Sequence, residues 1–273
     1  MIDVSRNIDV MGIVNLTDDS YFADSRCPDT ASALKRTEKL LSEGADVIDV
    51  GACSTRPGAC MIGPDEEWRR LEPFLSAVKT AFPDIRLSLD TCWAEVVMAA
   101  YNLIGDFIVN DISAGEADPR MLQTVGQSGL SYVAMHMRGT PQSMQSLTDY
   151  KSVTLDVLSY FNEFSRKAAE NGIRNWILDP GFGFAKTLEQ NYELLRELKK
   201  FRDVRNRDGV CPRILVGLSR KSMIYKEFSI SPEEALPATQ VLHFKAMQAG
   251  ADILRVHDVA EAKRTVELYI RLG

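Results

Sequence analysis

Several features that mark particular classes of protein are missing from this 273-residue sequence. No apolar run approaches the roughly eighteen residues that a membrane-spanning helix requires, and the N-terminus contains no apolar signal core. The net charge is −6, and no basic run or stripe resembles a nucleic-acid-binding surface. We therefore expect neither a membrane nor a nucleic acid as a partner.

Paired cysteines are also missing. The five cysteines, at positions 27, 53, 60, 92 and 211, make an odd number and include no C-x-x-C pair and no zinc-ligand spacing. This usage predicts reduced thiols in a cytoplasmic protein. With 45% hydrophobic and 26% charged residues, the chain is long enough for one large domain, and we expect a single domain over residues 1–273.

The chain does contain eight short apolar runs, each followed by a helical pattern. The predicted strands are 9–15, 45–50, 86–90, 106–110, 132–136, 176–179, 213–217 and 251–257. Strands that alternate with helices pair in parallel and are buried on both faces. Eight such units in about 250 residues are typical of a (β/α)₈ TIM barrel in the α/β class.

A doubly wound sheet shows the same alternation, but it would concentrate polar residues at one switch point. In this sequence nearly every predicted strand ends in a polar residue, as a barrel with one mouth requires. The strand at 176–179 is a clear case, because Asp179 ends it and a loop with two glycines follows. Thr187 and Gln190 then form a capping-box pattern, and Leu188, Tyr192 and Leu195 are predicted to share the buried helix face.

The polar residues at the strand ends suggest a chemistry. Two carboxylates, an amide and an ammonium suit a flat heterocycle resembling guanine, and they come from Asp90, Asn110, Asp179 and Lys221. Arg255 and His257, with Asn15 on the first strand, form a cationic patch that suits a phosphate. Asn15 is also a neutral oxygen ligand for Mg²⁺ beside a diphosphate. We expect His136 to be an ordinary, partly buried histidine.

Eight segments, taken in order, resemble the successive signatures of the dihydropteroate synthase family. They are 11–20 (MGIVNLTDDS), 49–58 (DVGACSTRPG), 89–91 (LDT), 109–113 (VNDIS), 135–141 (MHMRGTP), 178–184 (LDPGFGF), 217–222 (GLSRKS) and 255–259 (RVHDV). The resemblance spans about residues 9–260. It implies a (β/α)₈ barrel that joins 4-aminobenzoate to the methylene carbon of dihydropterin diphosphate in folate biosynthesis.

The resemblance also assigns roles to residues of this sequence. The pterin would be held by Asp90, Asn110, Asp179 and Lys221, and the diphosphate by Asn15, Arg255 and His257, with Asn15 as the Mg²⁺ ligand. The aminobenzoate site would comprise Thr55, Arg56, Pro57, Phe184 and Ser219. The catalytic residues would be Arg56, Lys221, Arg255 and His257. The family implies small-molecule substrates, a homodimer and inhibition by sulfonamides.

Two other functions stay open at this stage. A cobalamin-dependent methyltransferase barrel also binds a pterin, but it handles no diphosphate, and Arg56 and the pair Arg255 and His257 speak against it. A non-catalytic pterin-binding relative is the second alternative. It draws on Asp18 and Ala23, which depart from the common pattern of the first loop.

Overall fold

The computed structural model describes residues 6–16, 27, 29–53 and 62–273. Eight strands form a closed barrel in chain order, and every neighbouring pair is parallel. The strands are β1 (Asp9–Asn15), β2 (Val47–Gly51), β3 (Leu87–Asp90), β4 (Ile108–Asp111), β5 (Ser131–Met135), β6 (Trp176–Asp179), β7 (Arg213–Val216) and β8 (Ile253–Val256). The predicted barrel is confirmed, and closure between β1 and β8 rules out the doubly wound sheet.

Helices alternate with the strands and cover the outside of the barrel. In the described ranges they are α1 (Thr30–Ser42), α2 (Pro64–Ala81), α3 (Ala94–Ile104), α4 (Met121–Ser128), α5 (Val153–Glu170), α6 (Leu188–Arg196), α7 (Ser222–Tyr225), α8 (Leu236–Gln248) and α9 (Val259–Leu272). None of these helices is long and apolar enough to cross a membrane.

Two apolar clusters hold the layers together. A smaller cluster joins six strands: Met11, Val47, Val133, Ile177, Leu215 and Ile253. A larger cluster fills the layer between the strands and the helices. Because each strand is buried on both faces, its sequence reads as a nearly continuous apolar run, which is why the strands could be found from the sequence.

The observed boundaries differ from the predicted ones by a few residues. His136 and His257 were predicted to end strands, and both lie one residue beyond them. The predicted buried face of α6 was partly wrong, because Leu188 is 37% exposed whereas Asn191 is buried. The Asn191 side chain accepts a hydrogen bond from Gly183 N (2.7 Å), so this polar residue is buried with a partner in the preceding loop.

Candidate active site

A buried carboxylate, Asp49 on β2, connects the polar residues at the carboxyl ends of neighbouring strands. Its relative exposure is 0%, and its Oδ1 accepts a 2.5 Å hydrogen bond from the Ser88 hydroxyl on β3. The Asn110 side chain on β4 donates to both carboxylate oxygens of Asp49, at 3.3 and 3.2 Å. A buried charge of this kind is stable only with such donors and an opposite charge.

Arg255 on β8 supplies the opposite charge. Its Nε donates to Asp49 Oδ2 at 2.7 Å and its Nη2 to Asp90 Oδ2 at 2.8 Å, so one guanidinium bridges two carboxylates. Burial alone would lower the pKa of Arg255, but the two carboxylates raise it. Burial raises the pKa of Asp90 to about 7, against the opposing effect of Arg255. The predicted pterin carboxylate and the predicted diphosphate arginine are therefore direct partners.

Asp179 and Lys221 form the next part of the site. Asp179, at the end of β6, accepts a 2.8 Å hydrogen bond from Gly181 N. Burial raises its pKa, and the nearby Lys221 ammonium opposes that rise. The Lys221 ammonium donates to the Phe182 carbonyl and lies 4.7 Å from the centroid of the Phe184 ring. Burial lowers the pKa of Lys221 to about 8, so at pH 7 its ammonium is still mostly protonated and can donate to a carbonyl oxygen or a ring nitrogen.

The loop between β6 and α6 carries Phe184 and is held by the buried Lys186. The Lys186 ammonium donates to the carbonyls of Gly181 (2.9 Å) and Phe184 (3.0 Å), and it lies 3.1 Å from His136 Nδ1. Gly181 has a φ of 72°, and a Cβ there would lie 2.0 Å from the His136 carbonyl oxygen, so only glycine fits. His136 is 3% exposed, more deeply buried than the sequence predicted, and it packs edge-on against Tyr160.

His257 and Ser219 meet beyond the ends of β8 and β7. The backbone N–H of His257 donates to the Ser219 hydroxyl at 3.2 Å, and the His257 carbonyl accepts from Arg36 Nη2 at 2.7 Å. Burial, followed by the charge of Arg255, lowers the pKa of His257 to about 3, so this imidazole is neutral at pH 7. Ser219, predicted for aminobenzoate, thus has a direct contact with the predicted diphosphate residue.

The predicted site residues fall into two groups. Those within the described ranges lie at the carboxyl ends of the strands or in the loops that follow: Asn15, Asp90, Asn110, Asp179, Phe184, Ser219, Lys221, Arg255 and His257. Thr55, Arg56 and Pro57 lie outside the described residues, as do Asp18 and Ala23 of the first loop.

Asp49 and Lys186 were not selected from the sequence as site residues. The signal for Asp49 was a charged residue inside the apolar run 47–51, which requires a buried partner. Lys186 was harder to identify from the sequence, because a lysine that follows a glycine-rich loop is usually exposed to solvent. It is only 4% exposed, because the fold brings four acceptors to its ammonium: the carbonyls of Gly181, Phe184 and His136, and His136 Nδ1.

The described residues offer Mg²⁺ few ligands. Asn15 ends β1 and has a neutral side-chain oxygen. No group of three or more His, Cys, Asp or Glu side chains in residues 6–16, 27, 29–53 and 62–273 is placed to hold a metal ion. Mg²⁺ often binds through very few protein ligands together with substrate phosphates. The donor set therefore fits Mg²⁺ as the companion of a phosphate-bearing substrate.

A closed (β/α)₈ barrel with acidic and basic residues at its mouth is typical of an enzyme. Comparison with known proteins identifies the family. The pattern of the family described as pterin binding enzyme matches residues 11–257. The match covers most of the sequence, and the chain therefore belongs to this family.

Within the family the chain is similar to dihydropteroate synthases. It is 38% identical to that of Escherichia coli K12 over 263 residues, covering 94% of this chain and 90% of the relative. It is 37% identical to the Haemophilus influenzae protein, covering 95% and 92%. These relatives confirm the resemblance seen in the sequence motifs, and they show that the protein is an enzyme that transfers a group in folate synthesis.

Solved structures agree with this placement. The Yersinia pestis dihydropteroate synthase in a sulfonamide drug complex has a TM-score of 0.90 and 34% identity, covering 99% of this chain and 95% of that one. The Thermus thermophilus dihydropteroate synthase in complex with 4-aminobenzoate has a TM-score of 0.85 and 34% identity, covering 99% and 96%.

Proposed function

We propose that the protein condenses 4-aminobenzoate with (7,8-dihydropterin-6-yl)methyl diphosphate to give 7,8-dihydropteroate and diphosphate. The observation that carries this proposal is the hydrogen-bonded network of Asp49, Arg255 and Asp90, with Asn110 beside it. Its carboxylate and amide oxygens match the N–H edge of a pterin, and its amide N–H and guanidinium match carbonyl and phosphate oxygens. The complex of the similar Thermus thermophilus enzyme supports 4-aminobenzoate as the second substrate.

The charges of the site favour a dissociative substitution. The carbon–oxygen bond to the diphosphate breaks, and its electron pair leaves with the diphosphate. The methylene carbon is left with positive charge that spreads into the dihydropterin ring, where the carboxylates of Asp90 and Asp179 stabilise it. The lone pair of the aromatic amine then forms the carbon–nitrogen bond, and the nitrogen releases a proton to water.

Positioning does most of the remaining catalytic work. An aromatic amine is neutral at pH 7 and needs no strong base, so the site has only to hold it against the methylene carbon. Phe184 and the Lys221 ammonium, 4.7 Å from the ring centroid, support a flat aromatic acid at this position. Arg56, assigned from the sequence resemblance, completes the aminobenzoate site in this proposal.

Mg²⁺, bound with Asn15 as one ligand, would neutralise the charge of the departing diphosphate. Arg255 and His257 would hold the oxygens of the same group. This assignment draws on the donor chemistry of Asn15 and on the phosphate site that barrels commonly carry beside their last strands.

We further infer a homodimer that forms through α8 and α9. These neighbouring helices are linked by a 2.8 Å hydrogen bond from Thr265 to Gln240, and they expose Val241 (67%), Leu268 (57%) and Leu272 (66%). Exposed apolar side chains on adjacent helices favour a protein contact. A cytoplasmic location is likewise our proposal, supported by the free cysteines Cys92 and Cys211 and by the absence of C-x-x-C pairs from the sequence.

Release of diphosphate from dihydropterin diphosphate tests the reaction directly. The measurement is made with and without 4-aminobenzoate, and in Mg²⁺ and in EDTA. Mg²⁺-dependent release that yields dihydropteroate only with aminobenzoate would support the proposal. Tight pterin binding without turnover would instead identify a non-catalytic pterin-binding protein, and absence of pterin binding would overturn the substrate assignment.

A further inference from the structure

The residues assigned to the diphosphate carry little uncompensated positive charge. The guanidinium of Arg255 is already paired with Asp49 and Asp90, at 2.7 and 2.8 Å. His257 is neutral at pH 7, because burial and the charge of Arg255 lower its pKa to about 3. A departing diphosphate gains negative charge, so its site needs a cation that is not committed elsewhere.

The other cations near the ends of β7 and β8 are also committed. Arg220 forms a bidentate pair with Asp258, at 2.8 and 2.9 Å. Lys221 donates to the Phe182 carbonyl and lies near Asp179, which acts to raise its pKa. Each of these cations therefore has a carboxylate beside it that offsets its charge.

Arg36 on α1 differs from these cations. Its Nη2 donates to the His257 carbonyl at 2.7 Å, which places the guanidinium directly beside the predicted diphosphate residue. Within the described part of the chain it forms no salt bridge with a carboxylate. Its Nε is buried and has no hydrogen-bond partner among the described residues. A buried donor left without an acceptor is unfavourable, and a ligand oxygen that accepts from it would remove that cost.

We propose that Arg36 binds the diphosphate of the pterin substrate and stabilises it as it leaves. This inference rests on the proposed function and adds a residue to it. A guanidinium presents several N–H groups in one plane and matches phosphate oxygens better than a single ammonium does. Arg36 reaches the anion from α1, so it also joins that helix to the end of β8, where barrels commonly bind phosphate.

Because the contact strengthens as the carbon–oxygen bond breaks, Arg36 acts on kcat as well as on substrate affinity. We expect Arg36→Gln to lower kcat/KM for dihydropterin diphosphate by about 100-fold and to leave the KM for 4-aminobenzoate within about twofold. Arg36→Lys keeps the charge without the planar fork, and it should restore part of the loss.

Calorimetric binding of two probes separates this role from a merely structural one. The probes are inorganic diphosphate in the presence of Mg²⁺ and 6-hydroxymethylpterin, which lacks the diphosphate. Arg36→Gln should weaken diphosphate binding by about tenfold or more, with unchanged affinity for the pterin alcohol. Lys35→Gln is the matched control, because Lys35 is an exposed cation next to Arg36 on the same helix.

The outcomes are distinguishable. Unchanged diphosphate binding by Arg36→Gln, or an equal loss for both probes, would overturn the role of Arg36. Arg36→Lys provides the same comparison if the glutamine variant does not fold. If the unaltered protein binds neither probe, the proposed function fails, whatever Arg36 does.

Discussion

The carboxylate of Asp49 shows how one residue can support several others in this site. It accepts hydrogen bonds from Ser88, Asn110 and Arg255, which come from three different strands. A substitution at Asp49 therefore affects the positions of both the amide and the guanidinium proposed to bind substrate. This makes Asp49 a positioning residue.

We expect Asp49→Asn to lower the free energy of unfolding by about 3 kcal/mol, because Arg255 loses one of its two buried carboxylate partners. Chemical denaturation measures the change. Glu189→Gln is the control, since it removes a carboxylate from an exposed pair with Arg196 and should leave the denaturation midpoint unchanged. A midpoint for Asp49→Asn equal to that of the unaltered protein would contradict the assignment.

Glu67 gives a prediction about pH. It is 1% exposed, and burial raises its pKa from 4.5 to about 8. At pH values between these two, the Glu67 carboxyl is therefore mostly protonated in the folded protein and mostly ionised in the unfolded chain. The stability from Glu67 is complete below about pH 4.5 and falls as pH rises toward 8, by at most ~1.4 kcal/mol per pH unit.

Glu67→Gln removes this titration and keeps a neutral side chain of similar shape. Unfolding free energies measured from pH 5 to 9 should therefore decline for the unaltered protein relative to the variant, and the difference should level off above about pH 8. A difference that is independent of pH would show that Glu67 is ionised in the folded protein.

At the level of elements, the loop between β6 and α6 is fastened at both ends. Lys186 bonds the Gly181 and Phe184 carbonyls, and the capping box of Thr187 and Gln190 begins the helix that follows. The capping box was predicted from the sequence and is confirmed. These contacts hold the backbone of the loop on both sides of Phe184 and so help to position its ring.

We expect Lys186→Met to lower the free energy of unfolding by about 3 kcal/mol, because two buried carbonyls lose their donor. The KM for 4-aminobenzoate should rise more than the KM for the pterin substrate, since Phe184 moves with the loop. Denaturation and steady-state kinetics measure the two effects. Lys199→Met, at an exposed position, should change neither, and equal behaviour of the two variants would exclude this role for Lys186.

At the scale of the whole molecule, the proposed dimer would form through the exposed apolar side chains of α8 and α9. We expect the unaltered protein to sediment as a dimer at micromolar concentration and the double variant Val241→Asp, Leu268→Asp to sediment as a monomer, because two charges would be buried in the contact. Leu155→Asp is the control, since Leu155 is 61% exposed on the distant helix α5. A monomeric unaltered protein would refute the dimer.

The barrel was predictable because its signal is local. Each strand is a short apolar run that ends in a polar residue, and each helix has its own periodicity and ends. Eight repetitions outweigh errors at single boundaries, such as the extra residues predicted at both ends of β8. The strand ends also identified Asp90, Asn110 and Asp179, because parallel strands bring their carboxyl ends to one mouth.

By itself the sequence determined the fold, the family and most of the polar residues at the mouth. Only the tertiary structure decided how those residues pair. Arg255 lies 206 positions from Asp49 along the chain, and their 2.7 Å contact exists because β1 joins β8 to β2 when the barrel closes. Periodicity and spacing report interactions within an element, whereas the burial and charge balance of Asp49, Lys186 and Arg36 depend on neighbours that closure alone brings together.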